Sequence, residues 1–102
     1  MYNIFTSPPF FEWDEHKNIV NQRKQGVSFR EARAVFLDER ATEFFDPDHS
    51  KLEERYVLWG ISDRLRVLVV SYCYRHHYSM IRIISARKAD KTEEENYWRL
   101  IQ

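Results

Sequence analysis

Two glycines in 102 residues, Gly26 and Gly60, are too few to build a phosphate-cradling glycine loop. P-loop and dinucleotide-binding readings are therefore excluded. One cysteine, Cys73, can form neither an internal disulfide nor a zinc site by itself. It sits in an apolar run and reads as a reduced core thiol of a cytoplasmic protein. No apolar run approaches the roughly 20 residues of a transmembrane helix, and no basic stretch leads into an apolar one near the N-terminus, so neither a membrane span nor a signal peptide is expected. An excess of either charge is also missing. Sixteen basic and sixteen acidic residues leave no whole-molecule field to gather nucleic acid. There is no nucleophile elbow of the serine hydrolases. The four histidines (His16, His49, His76 and His77) show no HExxH-like spacing, and adjacent His76 and His77 would point to opposite faces of a strand. Asp46, Asp48 and His49 could gather round a divalent ion, but no ligand spacing supports it, and no metal or other cofactor is expected.

What is present is bulky core material: seven Phe, six Tyr and three Trp, in a chain that is 43% hydrophobic and 31% charged. That composition belongs to one folded domain with one core. Charge is unevenly placed. Residues 64–91 carry a net +6 and residues 31–63 a net −5, a distribution that favours a local anion-binding face.

Met1 to Pro9 contains the only Pro pair and reads as a loose arm. The aromatic segment 10–13 reads as a short edge strand or a core anchor. Asp14 can cap a helix over 15–25, ended by Gly26 in the left-handed conformation. Ser28 with Glu31 forms a capping box for a second helix, whose core stripe is Phe29, Ala32, Val35 and Phe36. Strands are predicted over 41–45, 55–61, 67–74 and 81–88, with turns at 46–50, 62–64 and 75–78. Strict alternation along the last strand puts Ile81, Ile83 and Ser85 on one face, with Arg82, Ile84 and Ala86 on the other. A final helix starts near Asp90 or Thr92, with Thr92 and Glu95 as a second capping-box candidate and an apolar stripe of Tyr97, Leu100 and Ile101. The fold class is α+β, with an N-terminal αα-hairpin packed on a three- to four-stranded antiparallel sheet and a C-terminal helix.

Few chemistries fit this inventory. Metal-free RNA cleavage needs a base for the 2′-hydroxyl, an acid for the leaving oxygen, and cations for the phosphorane. His49, Glu53 and Glu54 can serve as acid or base, and Lys24, Arg55, Arg82 and Arg87 can supply cations. Tyr72, Tyr74 and Tyr78 can stack on a base. Each has a plainer alternative: His49 bonded within its own turn, Glu53 and Glu54 solvated, the tyrosines as packing, and Arg82 and Arg87 as edge charges that block aggregation.

Five stretches, in order, resemble the BrnT family of type II toxin–antitoxin systems. They are Phe11-Glu12-Trp13-Asp14, Lys24 to Phe29, Asp48-His49-Ser50 with Glu53-Glu54-Arg55, the Ile81 to Ala89 strand, and Glu93 to Glu95 with Tyr97. The resemblance spans Phe10 to Tyr97. It implies a RelE-like fold and a metal-independent endoribonuclease that arrests growth. It also implies a hetero-oligomer with a BrnA-like ribbon-helix-helix antitoxin, through which alone the chain would meet DNA and repress its own operon. On this resemblance Arg55, Arg87, His49 and Glu53 are the catalytic candidates and Lys24 and Arg82 RNA-binding ones; Lys88 and Tyr74, from the basic segment itself, complete the RNA-binding candidates. Lys24-Gln25-Gly26 departs from the Lys-His-Gly common in the family, and Gln25 cannot act as an acid or base. A catalytically weak binding module that works within a repressor complex is the alternative reading.

Overall fold

A computed structural model describes residues 10–102, so the arm over 1–9 lies outside the described residues. The elements are β1 (Phe10–Glu12), α1 (Glu15–Gln25), α2 (Phe29–Ala34) running into a 3₁₀ turn (Val35–Leu37), β2 (Thr42–Asp46), a 3₁₀ turn (Pro47–His49), β3 (Arg55–Ile61), β4 (Val67–Arg75), β5 (Met80–Lys88) and α3 (Lys91–Leu100). The sheet order is β1-β5-β4-β3-β2.

The class is α+β as expected, with two corrections. The sheet has five strands and is mixed, because β1 runs parallel to β5 with Phe11 beside Ile81. The second arm of the hairpin is only six residues of α-helix before it tightens, and α1 and α2 pack mainly on β5 rather than on each other.

Local chemistry explains most element ends. The Asp14 carboxylate accepts from Lys17 N at 3.1 Å, and Gly26 closes α1 at φ +68°. Ser28 Oγ accepts from Glu31 N at 3.0 Å. The Glu31 side chain does not complete the box. It is buried and instead accepts from Ser62 Oγ at 2.7 Å and from the Arg66 guanidinium, whose Nη2 also donates to Gly26 O. Burial alone would raise the Glu31 carboxyl, but the bonds from Arg66 and Ser62 outweigh it and hold the group below its ordinary value. At α3 the cap is Asp90 with Glu93, which form a complete capping box; Thr92 lies inside the helix. Tyr97 is buried, whereas Leu100 is exposed.

One face of the sheet carries the core: Phe29, Ala32, Val35 and Phe36 from the helical segment pack on Leu58, Leu68, Val70, Tyr72, Ile81, Ile83 and Ala86. The face that α1 turns inward is not apolar. Its buried residues are Asn18 and Asn21. Among the described residues no strand lies on the outer side of β5 beyond Arg82, since β1 pairs only with 80–82. Asn21 fills that gap. Its amide donates to Ala86 O at 2.8 Å and Val27 O at 2.8 Å, and its Oδ1 accepts from Ala86 N at 3.1 Å. The side chain replaces a missing strand, as buried backbone groups require.

At the far end, Asp38 ties three segments together. Its Oδ2 accepts from Ile61 N at 2.8 Å and from Tyr97 Oη at 2.6 Å, which holds α3 to the sheet. Gly60 permits this approach: a Cβ there would lie 2.7 Å from Val35 Cγ1 and 3.0 Å from Ala41 Cβ.

Candidate functional site

A bulge decides which residues share the second face. Tyr72 pairs with Ile83, but the next residue back, Ser71, pairs with Ser85, so Ile84 has no partner. The extra residue inverts the alternation that follows it. Ser85 and Arg87 therefore join Arg82 on the face away from the core, and Ala86 joins Ile81 and Ile83 in the core. Plain alternation, which placed Ser85 with the isoleucines and Ala86 with Arg82, is wrong beyond Ile83 for this reason.

Register builds this face in rows. Asp46, Arg55, Cys73, Arg82 and Glu12 form one row across all five strands. Phe44, Val57, Ser71 and Ser85 form the next, and Thr42, Trp59, Val69 and Arg87 the one after. The first row is an ion ladder. Glu12 reaches Arg82 at 3.5 Å and Arg75 at 3.8 Å; Glu53 reaches Arg75 at 3.2 Å and Arg55 at 3.6 Å. Cys73 lies buried within it, and burial pushes its thiol up. Beside the ladder His49 Nδ1 stands 2.8 Å from Asp46 Oδ2. A cleft of about 410 Å³ is lined by Asp48, His49, Lys51, Leu52, Glu53 and Arg55.

The other rows line a second cleft of about 460 Å³, with Ser71, Ser85, Arg87 and Gln25 on its walls and the Phe44–Trp59 ring pair, 4.9 Å apart, opposite. Arg87 grips Glu93 through two bonds of 2.7 and 2.9 Å. Those bonds hold the Glu93 carboxyl below its ordinary value and raise the Arg87 guanidinium above its own.

The candidates divide accordingly. His49, Glu53 and Arg55 come together at one cleft, with Arg82 in the same row. Arg87 shares the face but stands four strand positions along, roughly 13 Å from that row. Lys24 sits by a separate hollow with His16, Lys17 and Ile84. Lys88 is paired with Leu68 on the core-facing alternation, and Tyr74 is on the core side too, paired with Ile81. Neither faces the arginines, so an RNA held by Arg82 would not meet Tyr74. The structure adds Glu12, Arg75, Asp46, Ser71, Ser85 and Trp59. Arg75 could have been found from its place at the end of a strand in the basic segment. Glu12 could not, because only the long-range pairing of β1 with β5 brings it there. Among the described residues no group of three or more His, Cys, Asp or Glu could hold a metal ion, and no helix is long and apolar enough to cross a membrane.

Comparisons with known proteins agree with this architecture. The crystal structure of the Brucella abortus ribonuclease toxin BrnT shares the fold, with a TM-score of 0.62 at 22% identity over 81% of this chain and 99% of that one. No curated protein sequence matches the chain. A family model described as the ribonuclease toxin BrnT of type II toxin–antitoxin systems matches residues 13–93. With four-fifths of its length covered by that model, the chain belongs to the BrnT family of ribonuclease toxins.

Proposed function

We propose that the chain is an endoribonuclease that cuts RNA without a metal ion, on the sheet face turned away from the apolar core. The observation that carries this reading is the convergence of His49, Glu53 and Arg55 on one cleft, in line with Arg82. Glu53 lies between the Arg55 and Arg75 guanidinium groups, at the cleft, where it takes the proton of the 2′-hydroxyl. That oxygen then attacks the adjacent phosphorus. His49, oriented by Asp46, delivers a proton to the departing 5′-oxygen, leaving a 2′,3′-cyclic phosphate and a 5′-hydroxyl. Arg55 and Arg82 stabilise the phosphorane. Arg87 holds a flanking phosphate, and the Phe44–Trp59 pair offers a base a stacking surface. Phosphate must displace the carboxylates now bound to these arginines, which a dianionic transition state does better than a monoanionic ground state.

The test is cleavage of RNA by the purified, antitoxin-free chain in EDTA, beside His49→Ala, Arg55→Ala and Arg87→Ala. Activity that survives EDTA and falls at least about 10²-fold in His49→Ala is expected. Loss in EDTA, or full activity in His49→Ala, refutes the mechanism.

The alternative, a weak catalyst that serves chiefly as half of a repressor complex, is favoured by two observations. Arg55, Arg75, Arg82 and Arg87 each have an acidic partner within the chain, and Gln25 lines the Arg87 cleft where a histidine is common in the family. It expects tight binding of a BrnA-like ribbon-helix-helix antitoxin with no cleavage by folded protein, and DNA contact only through that partner.

A further inference from the structure

Three neutral polar side chains between the arginines have no task in the cleavage step. Arg55 and Arg82 stand in one row of the sheet, and Arg87 lies roughly 13 Å along the strands. The cleft of about 460 Å³ between them has a floor of Val57, Val69, Ser71 and Ser85, with Gln25 on one wall and the Phe44–Trp59 rings on the other. The acidic groups that reach this cleft are already engaged: Asp46 with His49, and Glu93 with Arg87. Among the described residues, the Ser71 and Ser85 hydroxyls and the Gln25 amide have no hydrogen-bond partner.

Their placement is a second observation. Ser71 and Ser85 are cross-strand partners, and Ser85 reaches this face only because Ile84 is the extra residue of a bulge. Bulges re-aim side chains beside functional sites. Here the bulge sets two small hydroxyls side by side, where a larger pair would fill the cleft. The aromatic wall is open as well. Phe44 is 38% exposed and Trp59 is half-buried, so the pair leaves ring surface uncovered.

We propose, resting on the reading of this face as an RNA site, that the neutral strip is a base-selective subsite. One base of the strand lies against the Phe44–Trp59 rings, and its edge is read by the Ser71 and Ser85 hydroxyls and the Gln25 amide. Charge, neutral strip, charge is the order that phosphate, base and phosphate follow along a strand. Stacking is open to every base, so the rings supply affinity. The choice comes from the polar groups: an amide presents a donor beside an acceptor, as base edges do, and each hydroxyl can act as either. β3 and β5 are two strand spacings apart, roughly 10 Å, a width that a base on the rings bridges to the serines. A phosphate is poorly served here, because its oxygens would be set against Val57 and Val69.

The test is an NMR titration of the full chain with trinucleotides that carry A, C, G or U between two abasic sugars. Full 2′-O-methylation prevents any cut, and a strand abasic at all three sugars is the control for phosphate binding. Shifts of the Gln25 side-chain amide and the Trp59 indole are expected, with the best-bound base held at least about 5-fold more tightly than the worst. Gln25→Leu, and Ser71→Ala combined with Ser85→Ala, should bring the four affinities together. Melting temperatures should not move, since Gln25 and Ser85 are exposed and Ser71 is half-buried. Equal affinities for the four bases, a preference unchanged in the variants, or no binding beyond that of the abasic strand would overturn the proposal. Base-selective binding by a chain that leaves unmethylated RNA intact would uphold the subsite and count against the ribonuclease reading alone.

Discussion

Asn21→Asp separates hydrogen bonding from packing at the join of α1 and β5. The substitution keeps the shape of the side chain and the acceptor for Ala86 N, but replaces an amide donor with an oxygen facing Val27 O and Ala86 O, each now 2.8 Å from the nitrogen. Two buried carbonyls lose their donor, at about 1–3 kcal/mol each, and a buried carboxylate gains two like-signed neighbours. A loss of roughly 4 kcal/mol follows, which lowers the melting temperature of a 100-residue domain by about 15 °C or more. Urea denaturation at pH 7 measures it. The new carboxyl is raised in the folded state by burial and by the carbonyls, so the folded variant binds the extra proton. The stability gap to the parent therefore widens as pH rises through the raised value and narrows between pH 7 and about pH 4. A gap under about 1 kcal/mol at pH 7, or one that does not change with pH, would refute the view that Asn21 stands in for a strand.

Gly60→Ala should cost about 1–3 kcal/mol in the same melts, because its methyl group meets Val35 and Ala41 on a segment held by Asp38. Ser28→Ala removes the acceptor for Glu31 N and should cost about 0.5–2 kcal/mol; a change within error would show that the cap is idle. Glu31 is held below its ordinary value of 4.5, so the stability it gives is complete above that pH and is lost as pH falls through the lower folded value. Glu31→Gln should flatten that acid limb, which a series of melts from pH 7 to pH 3 reads directly.

Much of the fold was legible locally. The bounds of α1, its aspartate cap and its glycine stop follow from neighbouring residues, and so does β3 over Arg55–Ile61. The core stripe of Phe29, Ala32, Val35 and Phe36 was readable from spacing alone, because all four side chains face one way on the tightening helical segment. The inner face of α1 was not legible. Asn18 and Asn21 carry no apolar signal, and they are buried because distant backbone groups need partners. The candidate site divides in the same way. His49, Glu53 and Arg55 were found together because they are close in sequence. The partners of those charges were not, since Glu12, Arg75 and Arg82 meet only through pairing of β1, β4 and β5.

By itself the sequence determined the α+β class, the start and stop of α1, the span of β3 and the chemistry on offer. These rest on interactions between residues a few positions apart, such as caps, glycine stops and periodic apolar faces. The tertiary structure decided which side chains share a face. Strand alternation has a period of two, so a single unpaired residue at Ile84 moves Ser85 and Arg87 to the arginine face and Ala86 into the core. That bulge is a property of β5 against β4 rather than of either strand alone.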